Sequence, residues 1–268
     1  MDETQLEQMK SAQATVWGLG DYPKIARLTD QAAVPLVDAC AISAGQEVLD
    51  VAAGTGNVAI RAANEGAAVT ATDLSPGLVD LGKARSAEEG VDIDWSVADV
   101  EDLPFEDACF DCVTSVFGAM FAPRPAKAIE EMFRVVRPGN TVGMSNWTPD
   151  SMIARSFGII GSFFPPPEGV PSPFEWGDEA TARERFEPHA GTVEIERHRV
   201  DWRFGSREEG LEFFENAGPQ AAMKANLDPD TYAQMTAKQL ELIDELNAAD
   251  EGVVIDSEFL VVVGRKRG

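Results

Sequence analysis

The chain has 268 residues, 44% hydrophobic and 25% charged, enough for one large globular unit with a full core. Its 46 acidic against 22 basic residues give a net charge of −24, a surface that repels phosphate backbones and argues against nucleic acid as a partner. No apolar run approaches the ~20 residues that a membrane-spanning helix needs, and the charged start MDETQLEQMKSAQ lacks a signal peptide's apolar centre, so a cytoplasmic protein is expected.

Residues 1–45 read as helical. Positions 25–41 carry apolar residues at helical spacing, interrupted only by Pro35. From Glu47 to Trp147 the pattern alternates. Short apolar, β-branched runs at 48–51, 68–72, 93–97, 112–117 and 141–147 predict strands. Helix-sized segments begin at Asn57, after Ser75-Pro76 (a capping residue with proline at the first helical position) and at Pro125, the last stopping at Arg137-Pro138-Gly139. Strands alternating with helices predict an α/β fold with a doubly wound parallel sheet.

The texture changes after Trp147. A helix is expected over 151–164, then the proline-rich loop FFPPPEGVPSPFEWG with Phe163, Phe164, Phe174 and Trp176, then a helix capped by Asp178 and running to Phe186. Strand character resumes over 192–204, two helices follow over 207–217 and 229–248, and a final strand covers 258–264. The chain thus divides into an N-terminal helical lid segment (1–45), a core (46–147), an inserted cap (148–190) and the remaining strands and helices of the same unit (191–268).

Within the core, VLDVAAGTGNVAI joins a strand to a helix through Gly54-Thr55-Gly56. The spacing Gly54-x-Gly56-x-x-Ala59 satisfies the dinucleotide fingerprint as loosely written. Asp50 argues otherwise: a carboxylate at the strand tip suits an ammonium-bearing ligand, held directly or through the loop backbone, better than a pyrophosphate. Asp73, ending the next strand, suits paired ribose hydroxyls and fits any adenosine. Ala98-Asp99, after the third strand, can accept from an adenine amino group, with Val100 among the apolar residues that would sandwich the ring.

In order, LDVAAGTGN, ATDLSP, ADVEDLPFEDACFD and RVVRPGN resemble the motifs of the class I S-adenosylmethionine-dependent methyltransferases, particularly the ubiquinone/menaquinone-biosynthesis-like superfamily, over about residues 46–147. Ala52-Ala53 departs from the Gly-Cys of many relatives, a change between small residues. The N-terminal WGLGDYPKIAR resembles a segment of an uncharacterised actinobacterial-type branch, in which it would fold over the cofactor. The resemblance implies a mostly parallel, seven-stranded Rossmann-like sheet and S-adenosylmethionine as cofactor, with S-adenosylhomocysteine as product. It implies that Gly54 and Gly56 admit close backbone approach, flanked by Ala52, Thr55 and Asn57, and that Asp50 organises the ammonium end. Asp73, with Leu74 and Ser75, would hold the ribose; Ala98, Asp99 and Val100 would frame the adenine. Ser115, Val116 and Phe117 would lie near the methylthio group, and Tyr22 would help close the site.

Methyl transfer from a sulfonium needs alignment more than nucleophilic machinery, so no catalytic residue is assigned. A phenol or hydroxyl acceptor would call for a base, for which His189, His198 or a carboxylate are candidates; an amine or activated carbon would not. The aromatic segment 157–176 points to an apolar or aromatic small-molecule acceptor. No metal is expected: Cys109 and Cys112 form a CxxC, but they lie in a strand-like run without a second pair, which reads as inert thiols. A catalytically silent adenosyl-binding module and a nicotinamide-dependent oxidoreductase remain as alternatives, and the chain is expected as a monomer or homodimer.

Overall fold

The computed structural model describes residues 2–216 and 218–268. The N-terminal part comprises α1 (Glu3–Trp17), α2 (Tyr22–Thr29), a short 3-10 turn (Asp30–Ala32) and α3 (Ala33–Ala39). Asp2 caps α1 in a reciprocal capping box with Gln5. The helix expected over 25–41 is therefore broken into α2, the turn and α3. Pro35 falls in the first turn of α3, where a missing N–H removes no intrahelical bond.

The core then runs β1 (Glu47–Val51), α4 (Asn57–Asn64), β2 (Ala68–Asp73), α5 (Pro76–Glu89), β3 (Ile93–Val97), β4 (Phe110–Val116), α6 (Pro125–Val135) and β5 (Val136–Trp147). The cap holds α7 (Met152–Phe163) and α8 (Glu179–Phe186), capped by Ser151 and Asp178 through the N–H groups of Ala154 and Thr181. β6 (Ala190–Phe204), α9 (Arg207–Glu215), α10 (Gly218–Asn226), α11 (Pro229–Leu246) and β7 (Val253–Lys266) complete the chain. α10 is the one helix absent from the sequence reading. Other expectations differ in detail: β5, β6 and β7 are longer than predicted, and Ser75 makes no capping bond to α5, its buried hydroxyl lying beneath the α1 terminus at Gly18 without a partner among the described residues.

The sheet has seven strands in the order β3-β2-β1-β4-β5-β7-β6. β1 to β5 pair in parallel; β7 runs antiparallel to both β5 and β6 and is the one reversed strand. This is the seven-stranded Rossmann-like sheet that the motifs imply. The chain goes outward from β1 through β2 to β3 and then returns to β4 on the other side of β1. That reversal opens a crevice at the carboxyl ends of β1 and β4, where ligands bind in such sheets. Val48, Leu49, Val51, Cys112 and Val113 are buried beneath the crevice and fix its floor.

The cysteines bear on the CxxC. Cys112 is buried in β4 and its thiol meets Cys40 at the end of α3, whereas Cys109 precedes the strand and meets the carbonyl of Glu106. The two members of the sequence pair therefore do not face each other. No helix of the described residues is long and apolar enough to cross a membrane.

Candidate active site

Leaving β1, the backbone turns through three left-handed residues, Ala52 (φ 49°), Gly54 (φ 59°) and Gly56 (φ 87°), before α4 begins. Left-handed backbone costs an alanine roughly 1–2 kcal/mol that a glycine avoids, so the strain at Ala52 stands out. Across the crevice, Phe117 leaves β4 with φ 59°, and Gly118 lies so close to the Ala52 carbonyl that a Cβ there would come to 2.1 Å. The tips of β1 and β4 are thus held against one another by backbone that most side chains would not permit.

Asp73 caps this turn from the neighbouring strand. Its carboxylate accepts from the N–H groups of Gly54 at 2.8 Å and Ser75 at 2.9 Å, and it lines the cavity. Burial pushes its pKa up, while those N–H bonds oppose the shift. Tyr22 lies over Gly54, where an added Cβ would come within 3.1 Å of the phenol oxygen, and burial with the Asp73 charge raises the phenol's pKa. Thr55 also lines the cavity, with a buried hydroxyl that has no partner among the described residues. Asn57 ties the loop to the N-terminal segment: its amide donates to the Ala26 carbonyl at 2.8 Å and accepts from Arg85 at 2.6 Å.

Asp50 sits differently. Fully buried and outside the cavity wall, it accepts from the Ala59 N–H at 3.1 Å and the Thr114 hydroxyl at 3.1 Å. It therefore fastens the first turn of α4 to β4. Burial pushes its pKa to about 7, against the lowering effect of those two bonds and with a smaller upward push from Asp73.

At the far end, Ala98, Asp99 and Val100 line the cavity beside Leu74. Asp99 also makes a local turn, accepting from the Glu101 N–H at 2.9 Å. Lys10 of α1 bridges Asp99 at 2.6 Å and the fully buried Glu101 at 2.5 Å, and Glu101 in turn holds Arg124 at 2.7 Å. No sequence signal marked Lys10; its partners lie some ninety residues away and only the fold unites them.

The cavity's other half is aromatic. Phe117 stacks on Trp147 with ring centroids 3.8 Å apart and 10° between planes; Trp202 and Phe214 continue that wall. Trp17, Phe121 and Phe157 form the opposite side, with centroids 5.0 Å and 5.7 Å apart in sequence. Of the residues singled out from the sequence, Tyr22, Ala52, Thr55, Asn57, Asp73, Leu74, Ala98, Asp99, Val100, Val116 and Phe117 line the cavity. Asp50, Gly54, Gly56, Ser75 and Ser115 lie behind its wall; Ser115 accepts from the Ala119 N–H and shapes the turn after β4.

The cap contributes less than its aromatic content suggests. Ile153 and Phe157 reach the cavity. Phe164 is exposed, Phe163 packs under Lys238, and Trp176 is buried against Phe186 with Arg185 over its ring. Neither histidine lines the cavity: His189 stacks on Phe133 and His198 pairs with Glu196 on β6. Trp147, Trp202, Phe214 and Gln220 line it without having been marked by the sequence as site residues, since they come from strand ends, from α9 and from α10.

A family model described as a methyltransferase domain matches residues 48–139. An uncharacterised protein of Mycobacterium tuberculosis is 38% identical over 258 residues, covering 94% of this chain and 93% of that protein. A demethylmenaquinone methyltransferase of Paenarthrobacter aurescens is 41% identical over 113 residues, which are 42% of this chain and 43% of that enzyme. The crystal structure of the YcgJ protein of Bacillus subtilis shares the fold, with a TM-score of 0.62 at 17% identity over 89% of this chain and 99% of that one.

Proposed function

Because the chain belongs to the class I S-adenosylmethionine-dependent methyltransferases, we propose that it transfers the methyl group to a small apolar or aromatic molecule by direct displacement. The observation that carries this reading is one continuous cavity with a carboxylate-tipped, hydrogen-bonding end at β2 and β3 and an uncharged aromatic end at β4, β5 and β6.

In this reading Asp73 accepts from the ribose hydroxyls, with its carboxylate already oriented by the Gly54 and Ser75 N–H groups. Asp99 accepts from the adenine amino group, and Leu74, Leu78 and Val100 flank the ring. The strained loop from Ala52 to Gly56 brings backbone groups to the methionine portion, and Tyr22 covers it. Asp50 is a positioning residue: it braces α4 from behind and adds negative charge beneath a cationic ligand.

The cofactor supplies an activated methyl group. Bound beside Asp73, Asp99 and the Ala52–Gly56 loop, it would offer that methyl for direct displacement by the acceptor and would leave as the thioether. The chain's part is to align these atoms beside Phe117 and to exclude water with the Trp17, Phe121 and Phe157 wall. The test is transfer of labelled methyl from S-adenosylmethionine to a panel of neutral aromatic acceptors. Transfer that Phe157→Ala slows supports the reading; transfer only to charged amines or to nucleic acid sinks it.

A further inference from the structure

We infer that the acceptor is a flat, uncharged molecule bearing a hydrogen-bond-accepting oxygen, and that the indole N–H of Trp202 binds that oxygen; this rests on the methyl-transfer reading above. Trp202 is fully buried at the cavity wall, between Trp147 and Phe214 at ring-centroid distances of 6.1 Å and 5.2 Å. Among the described residues its Nε1 has no hydrogen-bond partner. An indole N–H normally finds a partner when buried, because one left unmade has lost its water without a replacement. Trp95 shows the ordinary outcome, donating to the Ser86 hydroxyl at 3.0 Å. Trp176 is unpaired too, but it lies away from the cavity and has Arg185 over its ring. A phenylalanine at 202 would fill an apolar wall without that penalty. The unpaired donor therefore makes sense as one that a ligand satisfies.

Charge and shape narrow the ligand further. The ionisable groups of the cavity, Lys10, Tyr22, Asp73 and Asp99, all come from α1, α2 and the ends of β2 and β3, and Lys10 is already paired with Asp99. Around Trp202 the wall is Phe117, Trp147 and Phe214, which offers no countercharge. An ionic acceptor would be buried there uncompensated, which disfavours it. The parallel Phe117–Trp147 pair presents a flat face, which favours a planar molecule.

The experiment titrates coumarin, which carries a ring carbonyl, and naphthalene, a flat bicycle of similar size without an oxygen, into the ¹⁵N-labelled protein with and without S-adenosylhomocysteine. The Trp202 indole signal is the one missing from Trp202→Phe, or, should that variant not fold, the one with contacts to the Phe214 ring. Coumarin is expected to move that signal and naphthalene to leave it in place. Coumarin binding is expected to weaken about tenfold in Trp202→Phe, with naphthalene unchanged within about twofold. An unmoved indole signal with coumarin, equal weakening for both probes, or no binding of either overturns the inference. Calorimetry with S-adenosylhomocysteine separates the levels: failure to bind it contradicts the methyl-transfer reading, whereas binding with a silent Trp202 removes this inference alone.

Discussion

Two buried carboxylates on neighbouring strands do different work. Asp73 faces the cavity and is oriented by two backbone N–H groups; Asp50 lies behind it and locks α4 to β4. Asp50 has a pH consequence. Its folded pKa of about 7 lies above the ordinary 3.8, so its contribution to stability is complete below about pH 4 and is lost as pH rises through about 7. Asp50→Asn removes a buried charge that is unfavourable at high pH. We expect urea melts to match wild type near pH 4 and to show a gain on the order of 1–4 kcal/mol at pH 8. A loss of stability at pH 8 would mean that the carboxylate is needed as an anion even in the empty protein. Binding of a sulfonium ligand above this pair should release protons near pH 6.5. Calorimetry in buffers of different ionisation enthalpy would detect them.

The strain at Ala52 and Phe117 also belongs to the residue scale, and it was invisible in the sequence. Gly54 and Gly56 announced a turn by composition, whereas nothing in an alanine or a phenylalanine signals a left-handed φ. Asp73 and Asp99 were legible because a carboxylate just past an apolar strand is unusual and specific. Lys10, Trp202 and Gln220 were not, because their place depends on segments far apart in the chain that only the sheet order brings together.

Among the elements, α1 and the cap cover the cavity by different means. α1 is held at its charged face by Lys10 across Asp99 and Glu101, and the turn after it is zipped to the α9–α10 connection by Asp21 N–H to Asn216 and Gly218 N–H to Leu19. Lys10→Met leaves Glu101 with Arg124 alone. It should lower the melting temperature by several degrees and expose α1 to limited proteolysis, because a buried charge has lost one partner. Unchanged proteolysis would show that the zipped turn suffices. In the cap, Trp176 and Phe157 separate structure from function. Trp176→Ala should cost about 3–5 kcal/mol of stability by leaving a cavity against Phe186, whereas Phe157→Ala should act mainly on turnover of an identified acceptor. Core strands were readable from their apolar runs, and the second cap helix from its capping residue Asp178. α10 was not, since Ala217-Gly218-Pro219 reads as a stop and the helix starts on the glycine itself, at φ 59°.

At the scale of the whole molecule, the acidity and the fold make separate statements. A net charge of −24 on 268 residues imposes self-repulsion that salt screens. The melting temperature should therefore rise by a few degrees between roughly 20 and 300 mM sodium chloride. A fall would mean that the surface ion pairs outweigh the net charge. The sheet order places β1 between β2 and β4, which puts the strained loop, Asp73 and Phe117 at a single crevice. It adds the antiparallel β7, which carries β6 and Trp202 to the far end of the same cavity.

Whether this crevice holds an adenosyl ligand through Asp73 can be read from calorimetric titration. S-adenosylhomocysteine and NAD would each be titrated into wild type and Asp73→Ala. Micromolar binding of S-adenosylhomocysteine alone is expected, weakened on the order of 10- to 100-fold by the substitution, the loss of a charge-assisted pair of hydrogen bonds. Binding of NAD in preference, or S-adenosylhomocysteine binding indifferent to Asp73, would contradict it.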